Sequence, residues 1–161
     1  HLDAQGRARM VDVGEKAITR RIAVAEGNVL MSAAAFALVR DATATKGDVL
    51  TVAEVAGVMG AKQTASLIPL CHPVPLDRVT VSTELVPEWP GVRIVATATA
   101  TARTGIEMEA VVAVSVGALT RWTCKEECTH DQATRSADNR PWRRCPRPAG
   151  IGCGIECHCR A

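Results

Sequence analysis

The chain is 161 residues long and 47% hydrophobic, with a mean hydropathy of +0.08, which suffices for one globular core and does not call for a second. A net charge of +2 and 2% aromatic residues leave little with which to grip a phosphate backbone or stack on bases, so no nucleic-acid partner is expected. No apolar run reaches the roughly eighteen residues of a membrane span and no basic-then-apolar leader opens the chain, so no membrane association is expected and the chain reads as cytoplasmic.

The first periodic stretch is RRIAVAEGNVLM (20–31), rich in β-branched and apolar residues, which predicts one extended segment or two divided at Gly27-Asn28. Ser32 then stands where an N-cap belongs, ahead of the short helix AAAFALVRDA. The turn TKGD (45–48) ends it, and Asp48 caps a second predicted helix, VLTVAEVAGVMGAKQTASLI (49–68), apolar over much of its circumference and hence expected to be largely buried. In LIPLCHPVPL (67–76), prolines at 69, 73 and 75 forbid helix and stiffen an irregular segment around Cys71 and His72. RVTVSTELV (78–86) and VRIVATATATAR (92–103) both alternate with period two about a turn at Pro87–Gly91, the pattern of an antiparallel hairpin with one buried face. A last helix is expected over AVVAVSVGALT (110–120). The fold class is α+β, an antiparallel sheet with helices on one face.

After Thr120 the composition changes. Residues 121–161 hold six of the seven cysteines and seven arginines, with almost no Val, Leu or Ile and no apolar period, so this tail is expected to be irregular or disordered. The domain organisation is therefore an α+β unit over 1–120 and a Cys/Arg-rich tail over 121–161. Three origins compete for the tail: a GC-rich gene read out of frame, a metal-binding appendage using C-x3-C, Cys145 and CGIECHC with His158, or a divergent interaction segment.

Several residues in the first part have chemistry to offer. MVDVGEKAITRR (10–21) gathers Asp12, Glu15, Lys16, Arg20 and Arg21, either a solvated charged segment or a source of anion-binding cations. Lys46 lies in the KGD turn, where Gly47 lets the backbone bend, and reads as an exposed turn lysine or a ligand contact. Lys62, late on an apolar helix, either snorkels to solvent or binds an anion. His72 on a proline-braced loop is preorganised for proton transfer or hydrogen bonding to a ligand, and a satisfied structural histidine is the competing reading. Cys71 reads as a small buried hydrophobe or a nucleophile, and adjacent Cys and His do not make a metal pair. Glu107 and Glu109 in RTGIEMEA share a face if the chain is still extended there, as the strand ending at Arg103 and the helix formers from Ala110 suggest.

Taken together, MVDVGEKAITRR, the run from KGDVLTVAEV through AKQT and LIPLCHPVPL, and TGIEMEAVVAVSVGALT resemble the cyclic pyranopterin monophosphate synthases of molybdenum cofactor biosynthesis, the MoaC family, across residues 7–120. The resemblance implies a ferredoxin-like subunit, a homo-hexamer built as a trimer of dimers, and active sites at the dimer interface. It implies a small-molecule nucleotide substrate, a cyclised dihydroguanosine triphosphate rearranged with loss of diphosphate, and no metal or other cofactor. It places substrate binding on Leu70, Cys71, His72, Met108 and Glu109 with Glu107 beside them, anion binding on Lys16, Arg21 and Lys62, and acid-base catalysis on Lys46. Beyond GALT the family continues with an active-site Asp and a Lys three places on. Here Thr123 occupies the Asp position and Lys125 falls one residue short of the Lys. On this pattern the expected activity is weak, and a non-catalytic protein whose tail binds a metal or a partner is the alternative.

Overall fold

The structure, a computed structural model, describes residues 2–3, 5–43, 47–125 and 153–160, and for 121–125 and 153–160 it gives the course of the backbone. Strands β1 (Thr19–Leu30), β2 (Leu76–Val86), β3 (Gly91–Ala102) and β4 (Cys153–Arg160) form one antiparallel sheet in the order β2-β3-β1-β4. Helices α1 (Ala33–Arg40), α2 (Val49–Lys62) and the single turn α3 (Thr64–Leu67) lie between β1 and β2, and α4 (Glu107–Lys125) follows β3. This is the β-α-β-β-α-β succession of the ferredoxin-like fold. Of the tail expected to be irregular, the described parts are the last turn of α4 and β4, which pairs antiparallel with β1 from Val29↔Cys153 to Ile22↔Arg160. Residues 126–152, with Cys128 and Cys145, lie outside the described residues.

The alternation in the sequence becomes the two faces of this sheet. Every second residue of β1 from Ala23 to Val29 is buried, as is every second residue of β3 from Val92 to Ala102. At the centre, Ala23 and Val79 flank Ala98, and Ala25 and Val81 flank Ala96, so the helix-covered face is floored with small side chains. β1 runs unbroken through Gly27-Asn28, because its full length pairs with β3.

Small residues let the helices come down close. On α2, a Cβ added to Gly57 would lie 2.9 Å from the Ala113 carbonyl oxygen, and one on Gly60 would lie 2.8 Å from a methyl of Val116. On α4, a Cβ on Gly117 would lie 3.2 Å from the Ala53 carbonyl oxygen. As the numbers fall along α2 they rise along α4, so the helices are antiparallel and nearly in backbone contact. Ile94, Ile106, Val92 and Val114 fill the space between helices and sheet.

The expected caps form, while the element boundaries move. The Ser32 hydroxyl accepts from the Ala35 N–H at 3.3 Å, and the Asp48 carboxylate accepts from Leu50 and Thr51 N–H at 3.2 and 3.1 Å. The helix expected over 49–68 breaks at Gln63, after which the buried Thr64 hydroxyl donates to the Ala61 carbonyl at 2.9 Å and starts a separate turn. α2 is also less buried than its apolar circumference suggested. Val49, Ala53, Gly57, Gly60 and Ala61 are covered, but Val55 and Met59 are 55% and 62% exposed and form an outward stripe with Val52. On the other side of α2, the Glu54 carboxylate reaches the edge strand β2 and accepts from the Thr83 N–H at 2.9 Å and its hydroxyl at 2.7 Å.

Because the Ala113 carbonyl belongs to the backbone, it cannot turn away from an added methyl. Gly57→Ala is expected to destabilise by about 1–3 kcal/mol from overpacking, more than the roughly 1 kcal/mol that alanine normally adds to a helix. Urea unfolding measures this, and an unchanged or raised midpoint would contradict so close a helix contact.

Candidate functional site

Antiparallel packing of α2 and α4 sorts the candidate residues into two groups at opposite ends of the subunit. At one end meet the last turn of α2, the turn α3, the proline loop, the first turn of α4 and the start of β1. They enclose a groove of about 320 Å³ lined by Ala61, Lys62, Ala65, Pro73, Val74, Pro75 and Glu109. Lys62 and Glu109 therefore share a groove although 47 residues separate them, and no ion pair within 4.0 Å joins them among the described contacts.

Glu109 is the unusual member. It is 3% exposed, at the third position of α4, where a carboxylate lies beside the unpaired amides of the first turn. Burial pushes its pKa above the usual carboxylate range, its own backbone N–H partly offsets this, and the charge of Glu107 adds to the rise. The helix begins at Glu107 and not at Ala110, so the two carboxylates do not share a face. Glu107 is exposed and Glu109 buried, as two positions about 200° apart on a helix must be. Glu107 folds back on the turn before it, where any Cβ on Gly105 would strike its carboxylate. Met108 between them is exposed.

The proline loop forms the opposite wall. Leu70 has φ of +64°, a left-handed conformation that a non-glycine residue adopts at a cost of about 1–3 kcal/mol. Bracketed by Pro69 and Pro73, it turns the chain so that its own side chain is exposed while Cys71 and His72 are half-buried. Burial and then the charge of Glu109 push the Cys71 thiol up, so it is held protonated, which suits a packing or hydrogen-bonding role better than attack as a thiolate.

The cations arrive from β1 and the segment before it. Arg21 pairs with Ala100 on β3, which in turn pairs with Leu76, the residue that follows the proline loop. Its Nε is buried without a hydrogen-bond partner, a donor that a bound anion would satisfy. Lys16 is exposed in a turn closed by its N–H to the Val13 carbonyl at 3.1 Å.

One candidate is not brought here, and another, Lys46, lies outside the described residues; the start of α2 is roughly 20 Å from Lys62, the length of its 14 residues. Thr123 is in the last turns of α4, roughly 24 Å along the helix from Glu107. Since the helices are antiparallel, the α2 start and the α4 end are neighbours. No three His, Cys, Asp or Glu side chains gather as a metal site among the described residues, and no described helix is long and apolar enough to cross a membrane. Sequence reasoning missed the apolar floor of the groove, Ala61, Ala65 and Val74, because small aliphatic residues carry no chemical signature.

Comparison with known proteins finds relatives of the chain. Residues 10–135 match the MoaC family. The chain is 56% identical over 122 residues to the cyclic pyranopterin monophosphate synthase of Dinoroseobacter shibae, covering 74% of this chain and 76% of that protein. It is 56% identical over 120 residues to the protein of the same name from Cereibacter sphaeroides, with the same coverage.

Because its pKa is raised on folding, Glu109 binds its proton more tightly in the folded than in the unfolded chain. Its contribution to stability is therefore present at low pH and lost as pH climbs from the unfolded value through the folded one. Glu109→Gln is expected to melt roughly 2–4 °C above the parent at neutral pH, with the gain shrinking toward pH 4. A calorimetric series showing a pH-independent difference would argue against a desolvated carboxyl at this position.

Proposed function

Because the chain belongs to the MoaC family, we propose that it is a cyclic pyranopterin monophosphate synthase, a lyase of molybdenum cofactor biosynthesis. Its substrate is (8S)-3′,8-cyclo-7,8-dihydroguanosine 5′-triphosphate, and its products are cyclic pyranopterin monophosphate and diphosphate. The observation that carries this reading is the groove in which Lys62 faces the buried Glu109, with the unpartnered Nε of Arg21 at the same end of the sheet. Lys16, Arg21 and Lys62 hold the triphosphate. Leu70, Cys71, His72, Met108 and Glu109 line the side on which the pterin forms. Glu109, whose affinity for a proton is raised by burial, hydrogen-bonds to the forming ring and exchanges a proton with it. The enzyme works in the cytoplasm, where its nucleotide substrate arises.

Catalysis by Lys46 requires a second copy of the chain. In one subunit the groove lies at one end of the helix pair, while the start of α2, three residues after Lys46 in sequence, and position 123 on α4 lie at the other. A two-fold axis crossing the helices would set the groove of each copy against the Lys46 end of its neighbour. The outward stripe of Val52, Val55 and Met59 on α2 offers apolar surface for that contact. Such dimers assemble three at a time into the hexamer.

Thr123 limits the chemistry but not the binding. A positioned acid-base group contributes roughly 10² to 10⁴ in rate, and a threonine hydroxyl does not replace a carboxylate in that role. The chain is expected to bind the cyclised nucleotide while turning it over about 10²-fold or more below a version with a family-type ending in place of 121–161. Equal turnover of the two, measured as product formed at saturating substrate, refutes this. In that repaired background, Lys46→Ala and Glu109→Gln are each expected to be inactive alone. Their mixture after subunit exchange should regain on the order of a quarter of the activity, because half of random dimers carry one intact composite site. Persistently inactive mixtures would place both residues in one subunit's site.

A further inference from the structure

Arg103 follows the last residue of β3 and precedes Glu107 by four residues, at the corner from which α4 starts. Its guanidinium donates to the carbonyl oxygen of Gly14, 89 residues away in sequence. Gly14 is part of a small self-bonded arm. Its N–H donates to the Asp12 carboxylate at 2.8 Å, and the Lys16 N–H donates to the Val13 carbonyl at 3.1 Å. Among the described hydrogen bonds, the one from Arg103 joins this arm to the body of the subunit. Because a carbonyl is neutral, Arg103 keeps its full charge while making the bond.

We infer that Arg103 is a positioning residue for Lys16, fixing the arm against the β3–α4 corner so that the ammonium group meets the anionic part of the substrate at the groove. Two features carry the inference. The bond acts on the peptide two residues before Lys16, so it orients that side chain through a short stiff turn. It also starts from the segment that carries Glu107 and Glu109, so the cationic and acidic sides of the site are referred to one guanidinium. The inference rests on the anion-binding reading of Lys16 given above.

The test is a double-mutant cycle with inorganic triphosphate as the probe, read by calorimetric binding to the full chain. Arg103→Gln and Lys16→Gln are each expected to weaken triphosphate binding roughly tenfold, and the double variant to bind no more weakly than Lys16→Gln alone. Arg103→Lys, which keeps a donor and the charge, should recover most of the loss. Hydrogen exchange without ligand should show the Gly14 and Lys16 amides exchanging faster in Arg103→Gln, with the sheet amides of β1 unchanged. Additive losses would mean that Arg103 touches the anion itself, and unaltered exchange of the arm would mean that it holds nothing in place. Either result overturns the inference. A parent chain that does not bind triphosphate overturns the anion-site reading together with this one, whereas a parent that binds with Arg103→Gln unaffected overturns this one alone.

Discussion

The near-contact of two helix backbones governs the rest of this molecule. Gly57 and Gly60 on α2 and Gly117 on α4 leave no room for a Cβ between the helices, and the alanine floor of the sheet lets the pair settle onto it. Larger side chains at these positions would force the helices apart. The groove exists because they do not. The same contact fixes which termini are neighbours, so it decides that Lys62 shares a groove with Glu109 and that the start of α2 lies beside the end of α4.

Polar chemistry is then concentrated where regular structure stops. At that one end, α2 breaks at Gln63, Leu70 takes a left-handed conformation, β2 starts with a register shift between Leu76 and Arg78, and α4 opens with two acidic residues. Each irregularity has a cost, and each is held by something stiff: Thr64 bonding back to Ala61, or prolines on both sides of the loop. Preorganisation of this kind leaves little for a ligand to rearrange. It also keeps Glu109 dry, which is what raises its affinity for a proton.

Much of the fold was legible because its cause is local. Period-two alternation placed β2 and β3 to within a residue or two, and Ser32 and Asp48 cap the helices they were expected to cap. What was not legible depends on partners distant in sequence. Nothing near Val55 and Met59 says that they face outward, since an apolar helix looks alike whether its second side meets its own core or another chain. Glu107 and Glu109 were expected to share a face because the apolar helix formers begin only at Ala110. Yet acidic residues favour the first turn of a helix, and that preference sets the start at Glu107 and turns the two carboxylates apart. The arm from Asp12 to Lys16 read as solvated charge because Arg103, which anchors it among the described hydrogen bonds, lies far along the chain.

The Glu54 carboxylate has a consequence beyond its two bonds to Thr83. β2 is an outer strand of the sheet, and an outer strand offers a row of unsatisfied amides on which any extended peptide can crystallise as one more strand. Glu54 reaches over from α2 and occupies that row near its middle, with a negative charge that a new strand's own carbonyl oxygens would meet head-on. Growth of the sheet into a fibre from this side is therefore discouraged by a helix residue that has no place in the groove.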